Sequence, residues 1–360
     1  MHRVRRFVAV AAGVGALVAA PSLAARLPVS DSDISAADLL SRVRGSATVA
    51  HTGYAESAAR LNLPDVRQLG DVLELLGERT NLRVWWRGPD AWRVDAVEPA
   101  GEHGHYRDGT GFWLWDSFER RATRLTGEPQ VRLVRAPDLV PSELGRRVVA
   151  YADVADATRI PARRVAGRSA PGIRITPRDP DTTVGRVDVW VHEPTGLPLR
   201  VEITARGAAN PVISTQYLEL RLDAPAAAVL QFRLPADAEL DEAVAADIAE
   251  EVDRLSPFVV PEVVDGRARR SAIGTGAGTY GSGFAIVSVL ALEDARVDRA
   301  RRRLDRLQIQ RIPAPFGDAT PVSTPLFNGL LFTHDGIGYV IAGTVQQRVL
   351  EAVAADLAAR

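Results

Sequence analysis

Gly172-Ile-Arg-Ile-Thr-Pro-Arg-Asp-Pro-Asp181, followed by Val187-Asp-Val-Trp-Val-His-Glu-Pro-Thr-Gly-Leu-Pro-Leu-Arg-Val-Glu-Ile203, reads as successive long strands joined by tight polar turns. Ile173 and Ile175 flank Arg174, and Val187, Val189 and Val191 alternate with Asp188, Trp190 and His192. That period of two places the aliphatic residues on one face and the polar and aromatic ones on the other. Pro194-Thr-Gly196 supplies hairpin chemistry between two of the strands. The apolar face has to be covered or filled, because leaving it in water forfeits the main driving force for folding.

The same pattern recurs outward from this stretch. Leu82-Arg-Val-Trp-Trp-Arg87, a Gly88-Pro-Asp90 turn and Ala91-Trp-Arg-Val-Asp-Ala96 form a second hairpin. Leu82, Val84 and Trp86 share one face of its first strand, and Trp92, Val94 and Ala96 share one face of its second. Gly104 to Arg107, Phe112 to Asp116 and Ala122 to Leu125 continue the strands, and Thr48 to Glu56 precedes them. Ser35 with Asp38 three residues on is a helix-capping signature, so a helix spans about Ser35 to Ser46 with Leu39, Leu40 and Val43 turned inward. A short helical run is expected over Val72 to Leu76, and another helix within Pro137 to Tyr151. Strands resume at Arg163 to Val165, Gly172 to Pro177, Val184 to Glu193, Leu197 to Ala205, Ile213 to Leu222 and Phe232 to Pro235. Helix, strands, helix, strands is a curved antiparallel sheet with few helices, and it excludes a βαβ repeat.

The spacing of apolar residues from Leu240 to Leu255 predicts an amphipathic helix, with a domain boundary near residue 240. Beyond it stand a strand Phe284 to Leu292, a charged helix Glu293 to Leu307, a hairpin of Leu326 to Thr333 with Gly338 to Ala342, and a last helix Thr344 to Leu357. The fold class is therefore α+β. A strongly curved antiparallel sheet with few helices occupies residues 33–239, and a small α+β lobe occupies 240–360.

Leu82 to Val94, Tyr106-Arg-Asp-Gly109, Trp113-Leu-Trp-Asp116, Ala166-Gly-Arg168, Pro177-Arg-Asp179 and Thr195-Gly-Leu-Pro-Leu-Arg200, in that order, resemble the RseB/MucB-type branch of the LolA-like superfamily. The resemblance spans roughly Ser35 to Pro235. It implies a strongly curved antiparallel half-barrel with plug helices over residues 33–239, in an exported, non-enzymatic protein without a cofactor, and this half-barrel holds an acyl chain, a lipid or a lipidated partner as a carrier or sensor. The alternative it implies is a regulatory module acting on a membrane-bound anti-sigma factor or transporter. The hairpin and helix around Asp335-Gly-Ile-Gly-Tyr-Val-Ile-Ala-Gly343 do not match the anti-sigma-binding domain of RseB, and the lipobox cysteine of the lipoprotein members is missing.

The bulk composition agrees with an exported protein. Arg3, Arg5 and Arg6 precede the apolar run Phe7 to Ala20 and the small residues Pro21 to Ala25, the anatomy of an export signal over residues 1–25, cleaved or retained as an anchor. Every basic residue is arginine and there is no cysteine, which excludes disulfides and thiol chemistry. The formal net charge is −1, and loss of the three leader arginines makes it −4, the wrong sign for a nucleic-acid partner.

An acyl chain needs a dry, mostly apolar concavity. Alternation assigns Trp86, Trp92, Val94, Leu114, Val187 and Val189 to that concave face as candidate ligand-binding residues, and the competing reading is a core filled by the plug helices. Trp85, Trp113 and Trp115 fall on the other face. Gly274-Thr-Gly-Ala-Gly-Thr-Tyr-Gly-Ser-Gly283 has the composition of a phosphate loop, but a strand follows it where a helix N-terminus is needed, so it reads as a linker or hairpin loop. His103-Gly-His105 lacks a further ligand at metal spacing and reads as a surface strand, and no Gly-x-Ser-x-Gly elbow offers a nucleophile. Arg120-Arg121 and Arg299-Ala-Arg-Arg-Arg303 read as solvated faces, the second also suited to acidic lipid headgroups or a membrane partner.

Overall fold

In the computed structural model, residues 29–61, 75–76, 79–99, 101–127, 132–245, 254–273 and 275–360 are described. The leader, Gly274 and most of the expected helical run at 72–76 lie outside them, although Leu75 itself is helical.

The first lobe begins with α1 (Ala36–Arg44), whose N-cap Ser35 accepts a hydrogen bond from the Asp38 amide. Six strands follow: β1 (His51–Ala59), β2 (Thr80–Gly88), β3 (Ala91–Val97), β4 (Glu102–Asp108), β5 (Gly111–Asp116) and β6 (Arg121–Thr126). Then come α2 (Pro141–Ala150), with proline at its first position, and β7 (Ala157–Val165), β8 (Arg168–Ile175), β9 (Val184–His192), β10 (Leu197–Ala205) and β11 (Ile213–Arg221). A single turn α3 (Ala227–Leu230) precedes β12 (Glu239–Val244). All twelve strands form one open, curved sheet in the order β12-β6-β5-β4-β3-β2-β1-β11-β10-β9-β8-β7. Every pairing is antiparallel except β12 with β6.

The alternation in 172–203 has its physical reason in the two faces of this sheet. On the inner face, Ile173, Val189 and Val201 stand side by side across β8, β9 and β10, as do Ile175, Val187 and Ile203, under Leu39, Leu40 and Val43 of α1 and Val148 and Val149 of α2. On the outer face, Arg174 grips Asp188 with two bonds of 2.7 Å, and Trp190 lies beneath the guanidinium of Arg163 at 4.1 Å. The β9–β10 turn requires glycine at 196 on two counts. Its φ is +72°, and a Cβ there would come within 2.2 Å of the Arg42 carbonyl oxygen of α1.

Two expectations fail at the end of this lobe. Phe232 to Pro235 is coil, because Phe232 leaves the ladder to stack on Trp113 (4.9 Å) and meet Tyr106 edge-on (5.2 Å) on the outer face. Residues 239–244 are a strand and not the start of a helix, so the first sheet runs past the boundary expected near 240. Glu239, Asp241 and Glu242 find Arg121 and Arg124 on β6 at 3.4–3.7 Å, and the neighbouring edge overrides the helical spacing of Leu240 and Val244. Of the rest of the expected helix, residues 246–253 lie outside the described residues.

The second lobe holds more sheet than expected. β13 (Val263–Val264), β14 (Arg267–Ile273), β15 (Ala277–Ser282), β16 (Ala285–Glu293), α4 (Asp294–Arg306), β17 (Ala319–Ser323), β18 (Asn328–His334), β19 (Ile337–Gly343) and α5 (Gln347–Ala358) build a seven-stranded sheet, β13-β14-β15-β16-β19-β18-β17. The glycine-rich stretch is a strand for most of its length, its Ala277 to Ser282 pairing with β16. Val349, Leu350, Val353 and Leu357 of α5 pack with Val287, Val289, Phe332 and Ile341, while Val297 and Leu304 of α4 pack with Leu331. The lobes meet at Asp181-Thr-Thr183. The Thr182 hydroxyl lies 2.9 Å from the carbonyl oxygens of Phe284 and Thr344, and Asp181 receives Arg267 and Arg348.

Candidate functional site

The helices cover only part of the inner face. Where α2 and the turn Ala136–Leu139 stop, β2, β3, β4, β5, β6 and the residue after β12 border a cleft of 440 Å³. Its apolar wall consists of Trp86, Trp92, Phe112 and Leu125, which the register places side by side: Trp86 opposite Trp92, Trp92 opposite Arg107, Arg107 opposite Phe112, Phe112 opposite Leu125. The two indoles stack at 5.8 Å and 7°, and Phe112 meets Trp92 edge-on at 5.8 Å. Each indole is fixed by a bond from its ring nitrogen, Trp86 to the Ala47 carbonyl and Trp92 to the Pro89 carbonyl, both at 2.9 Å.

The rim is basic. Arg107, Arg132, Arg135, Arg146 and Arg147 border the cleft with Asp90, Asp138 and Glu143. Asp138 is taken up by Arg132 (2.6 and 2.8 Å), Arg147 (2.6 Å) and the Arg135 amide (2.8 Å). Burial works to raise the Asp138 carboxyl, but the bonds from Arg132 and the charge of Arg147 hold it below the usual carboxylate range. Arg135 and Arg146 are differently placed. Their guanidiniums lie over aromatic rings, Arg135 over Phe112 at 4.7 Å and Arg146 over Trp86 at 5.2 Å. Arg146 stands beside Glu143, yet its Nη1 is buried without a hydrogen-bond partner among the described residues. Burial pulls Arg146 down to about 10, with Arg147 adding to the effect, and burial with Arg132 also lowers Arg135. Both cations would gain from an anion in the cleft.

Of the residues expected to line a ligand site, Trp86 and Trp92 border this cleft at 3 and 9% exposure. Val94 is fully buried behind them, and Leu114, on the same face, packs against that cluster. Val187 and Val189 are fully buried under α1 and α2, so they belong to the filled part of the concavity. Arg135 and Arg146 escaped the sequence reading. The signal available for them was their position beside Pro137 and within the helix-forming stretch 141–150, which does not tell a stacked arginine from a solvated one.

Beneath Trp86 lies a buried polar triangle. Ser142 Oγ is 3.0 Å from Tyr217 Oη and 3.4 Å from His51 Nε2, Tyr217 Oη is 2.8 Å from His51 Nε2, and His51 Nδ1 is 2.8 Å from the Val49 carbonyl. The carbonyl fixes the proton on Nδ1, so Nε2 accepts from Tyr217. Burial, with the charge of Arg146 assisting, lowers His51 to about 4. Ser142 and His51 have no exposed surface and Tyr217 has 1%, so the grouping ties α2 to the sheet and is sealed from any substrate.

A curved antiparallel sheet with helices in its concavity, a basic aromatic cleft and a second sheet lobe define a two-lobed fold of half-barrel type. Within it, residues 122–237 match the family model described as the MucB/RseB N-terminal domain. That match covers about a third of the chain. Its fold is similar to that of MucB solved in complex with MucA(peri), at 17% identity and a TM-score of 0.50, with 89% of this chain and 97% of that one covered. The Pseudomonas aeruginosa MucA/MucB complex also aligns (17% identity, TM-score 0.49, 89% and 96% covered), as does LprF from Mycobacterium bovis (10%, 0.32, 56% and 97%). No curated protein sequence matches the chain.

Proposed function

We propose that the chain is an exported, non-enzymatic binding protein of the cell envelope that takes an anionic amphiphile, an acyl lipid or a lipidated ligand, in the cleft of its first lobe. The observation that carries this reading is the pairing of an aromatic wall with two cations that lack a full complement of anionic partners. Trp86, Trp92 and Phe112 offer apolar surface, and Arg135 and Arg146, held over those rings, meet an acidic headgroup. A volume of 440 Å³ falls within the roughly 300–1,000 Å³ usual for small-ligand sites. Each methylene buried against the wall contributes about 0.8 kcal/mol. Export is supported by the leader-like residues 1–25, and among the described residues no helix is long and apolar enough to cross a membrane.

The test is native mass spectrometry of the protein purified without detergent, followed by lipid extraction. A bound acidic lipid that R135Q/R146Q releases supports the reading, and an empty protein that refuses added acyl lipids overturns it.

A second reading is a regulatory module docking on a membrane-bound anti-sigma factor or transporter through the second lobe. It is favoured by the likeness to MucB, a protein solved with MucA(peri), which extends over both lobes of this chain. A stable complex with a membrane protein, lost on charge reversal in the second lobe and indifferent to R135Q/R146Q, would move the function there. Truncation at residue 240 is a poor probe, because it removes β12 from the first sheet.

A further inference from the structure

We propose that the outward face of α4 is a docking surface for an anionic lipid bilayer. At 100° per residue, Arg299, Arg302, Arg303 and Arg306 fall within an arc of about 100°, and Arg299 and Arg306 are separated by about 10 Å along the axis. All four are exposed, and among the described residues none has a carboxylate within ion-pairing distance. The opposite side of the helix is spoken for: Val297 and Leu304 pack on the sheet, and Arg301 is buried, reaching the Asp318 carbonyl at 2.8 Å and Thr320 Oγ1 at 3.3 Å.

The acidic residues of α4 make their ion pairs outside the row, and Asp305 reaches Arg302 only through its charge. Asp298 faces Arg301 at 3.2 Å, and Asp305 is bound by Arg311 at 2.7 Å. Arg299 with Arg302 and Arg303, and Arg306 with Arg302 and Arg303, are like charges three or four residues apart, a spacing that works against the helix. An array that opposes its own helix and has no ion-paired carboxylate among the described residues is suited to an external counter-ion.

The shape selects the partner. The row lies on the convex, outermost side of a single helix, so it meets a surface of repeating headgroups at every position and offers no recess for particular side chains. Leu307, 40% exposed, follows Arg306 as the C-cap and adds an apolar group at the end of the helix. Clusters of four or more basic residues on a helix bind anionic bilayers in this way.

The experiment is flotation of the full chain with vesicles of phosphatidylcholine alone or mixed with phosphatidylglycerol, and the contribution of residues 1–25, with Arg3, Arg5 and Arg6, is common to wild type and variants. The wild type is expected to bind the mixed vesicles at least about tenfold more tightly than the neutral ones. The variant R299Q/R302Q/R303Q/R306Q loses that preference, and R299Q/R306Q loses part of it with less risk to folding, which thermal unfolding checks. The control R60Q/R83Q/R87Q/R221Q removes the same charge from the first lobe and retains it. No preference in the wild type, an unaffected quadruple variant, or an equal loss in the control overturns the proposal. Capture by polyglutamate without capture by anionic vesicles also overturns it, in favour of an acidic protein partner.

Discussion

The inner face of the first sheet has two halves built on one pattern and put to different uses. Under α1 and α2 it is aliphatic: Ile173, Ile175, Val187, Val189, Val201 and Ile203 fill the concavity. From β2 to β6 it is aromatic and basic, with Trp86, Trp92 and Phe112 bordering a cleft under Arg135 and Arg146. Alternation alone places both sets on the same face. What separates them is which segment of the chain comes back to cover them.

The comparison breaks most visibly in the sealed half. V189D puts a charge where the native residue has no exposed surface and its neighbours are aliphatic. The variant should lose more than about 4 kcal/mol or fail to accumulate folded, as read by urea denaturation or by soluble yield.

Acid probes the seam between the halves. His51 is held neutral in the fold, at about 4 against 6.5 in the unfolded chain, so its contribution is fully present above pH 6.5 and is lost as pH falls toward 4. The loss amounts to about 3 kcal/mol, since each pH unit separating the folded and unfolded values is worth about 1.4 kcal/mol. Urea midpoints measured from pH 7 to pH 4 should fall accordingly, and an H51Q variant should show a shallower decline.

V187A sharpens the same contrast more gently, with an expected loss of about 2 kcal/mol as a small cavity opens beneath α1 and α2. R135Q in the cleft should change stability by less than about 1 kcal/mol, because Arg135 packs on a ring at the rim and leaves no stranded carboxylate. The smallest effect belongs to β12. E239Q/E242Q removes exposed ion pairs to Arg121 and Arg124, each worth less than about 1 kcal/mol, and the unfolding midpoint should barely move.

The hairpins of the first lobe were legible because period-two alternation and turn residues coincide at 82–96 and 184–203. Ser35 likewise announced α1 through its capping bond. β12 was illegible because Leu240 and Val244 have helical spacing, and only the arginines of β6, more than a hundred residues earlier, make the segment a strand. β14 and β15 were missed because Arg267 to Arg270 and Gly276 to Gly283 carry no apolar alternation, so their strand character comes from pairing, β15 with β16 and β14 with β15. At the site, the tryptophans stood out as residues. Arg135 and Arg146 did not, since a chain with arginine as its sole basic residue gives no local sign of which guanidinium rests on an aromatic ring.

The central claim is that the cleft reads both an apolar chain and an acid, and matched probes test it most directly. Tryptophan fluorescence would follow the titration of a long-chain fatty acid and the fatty alcohol of the same length into wild type and R135Q/R146Q. The account predicts that the acid binds the wild type at least about tenfold more tightly than the alcohol, as one charge-assisted hydrogen bond suffices to give, and that the double variant binds the two alike. Equal binding of acid and alcohol to the wild type, or no binding of either, would contradict it.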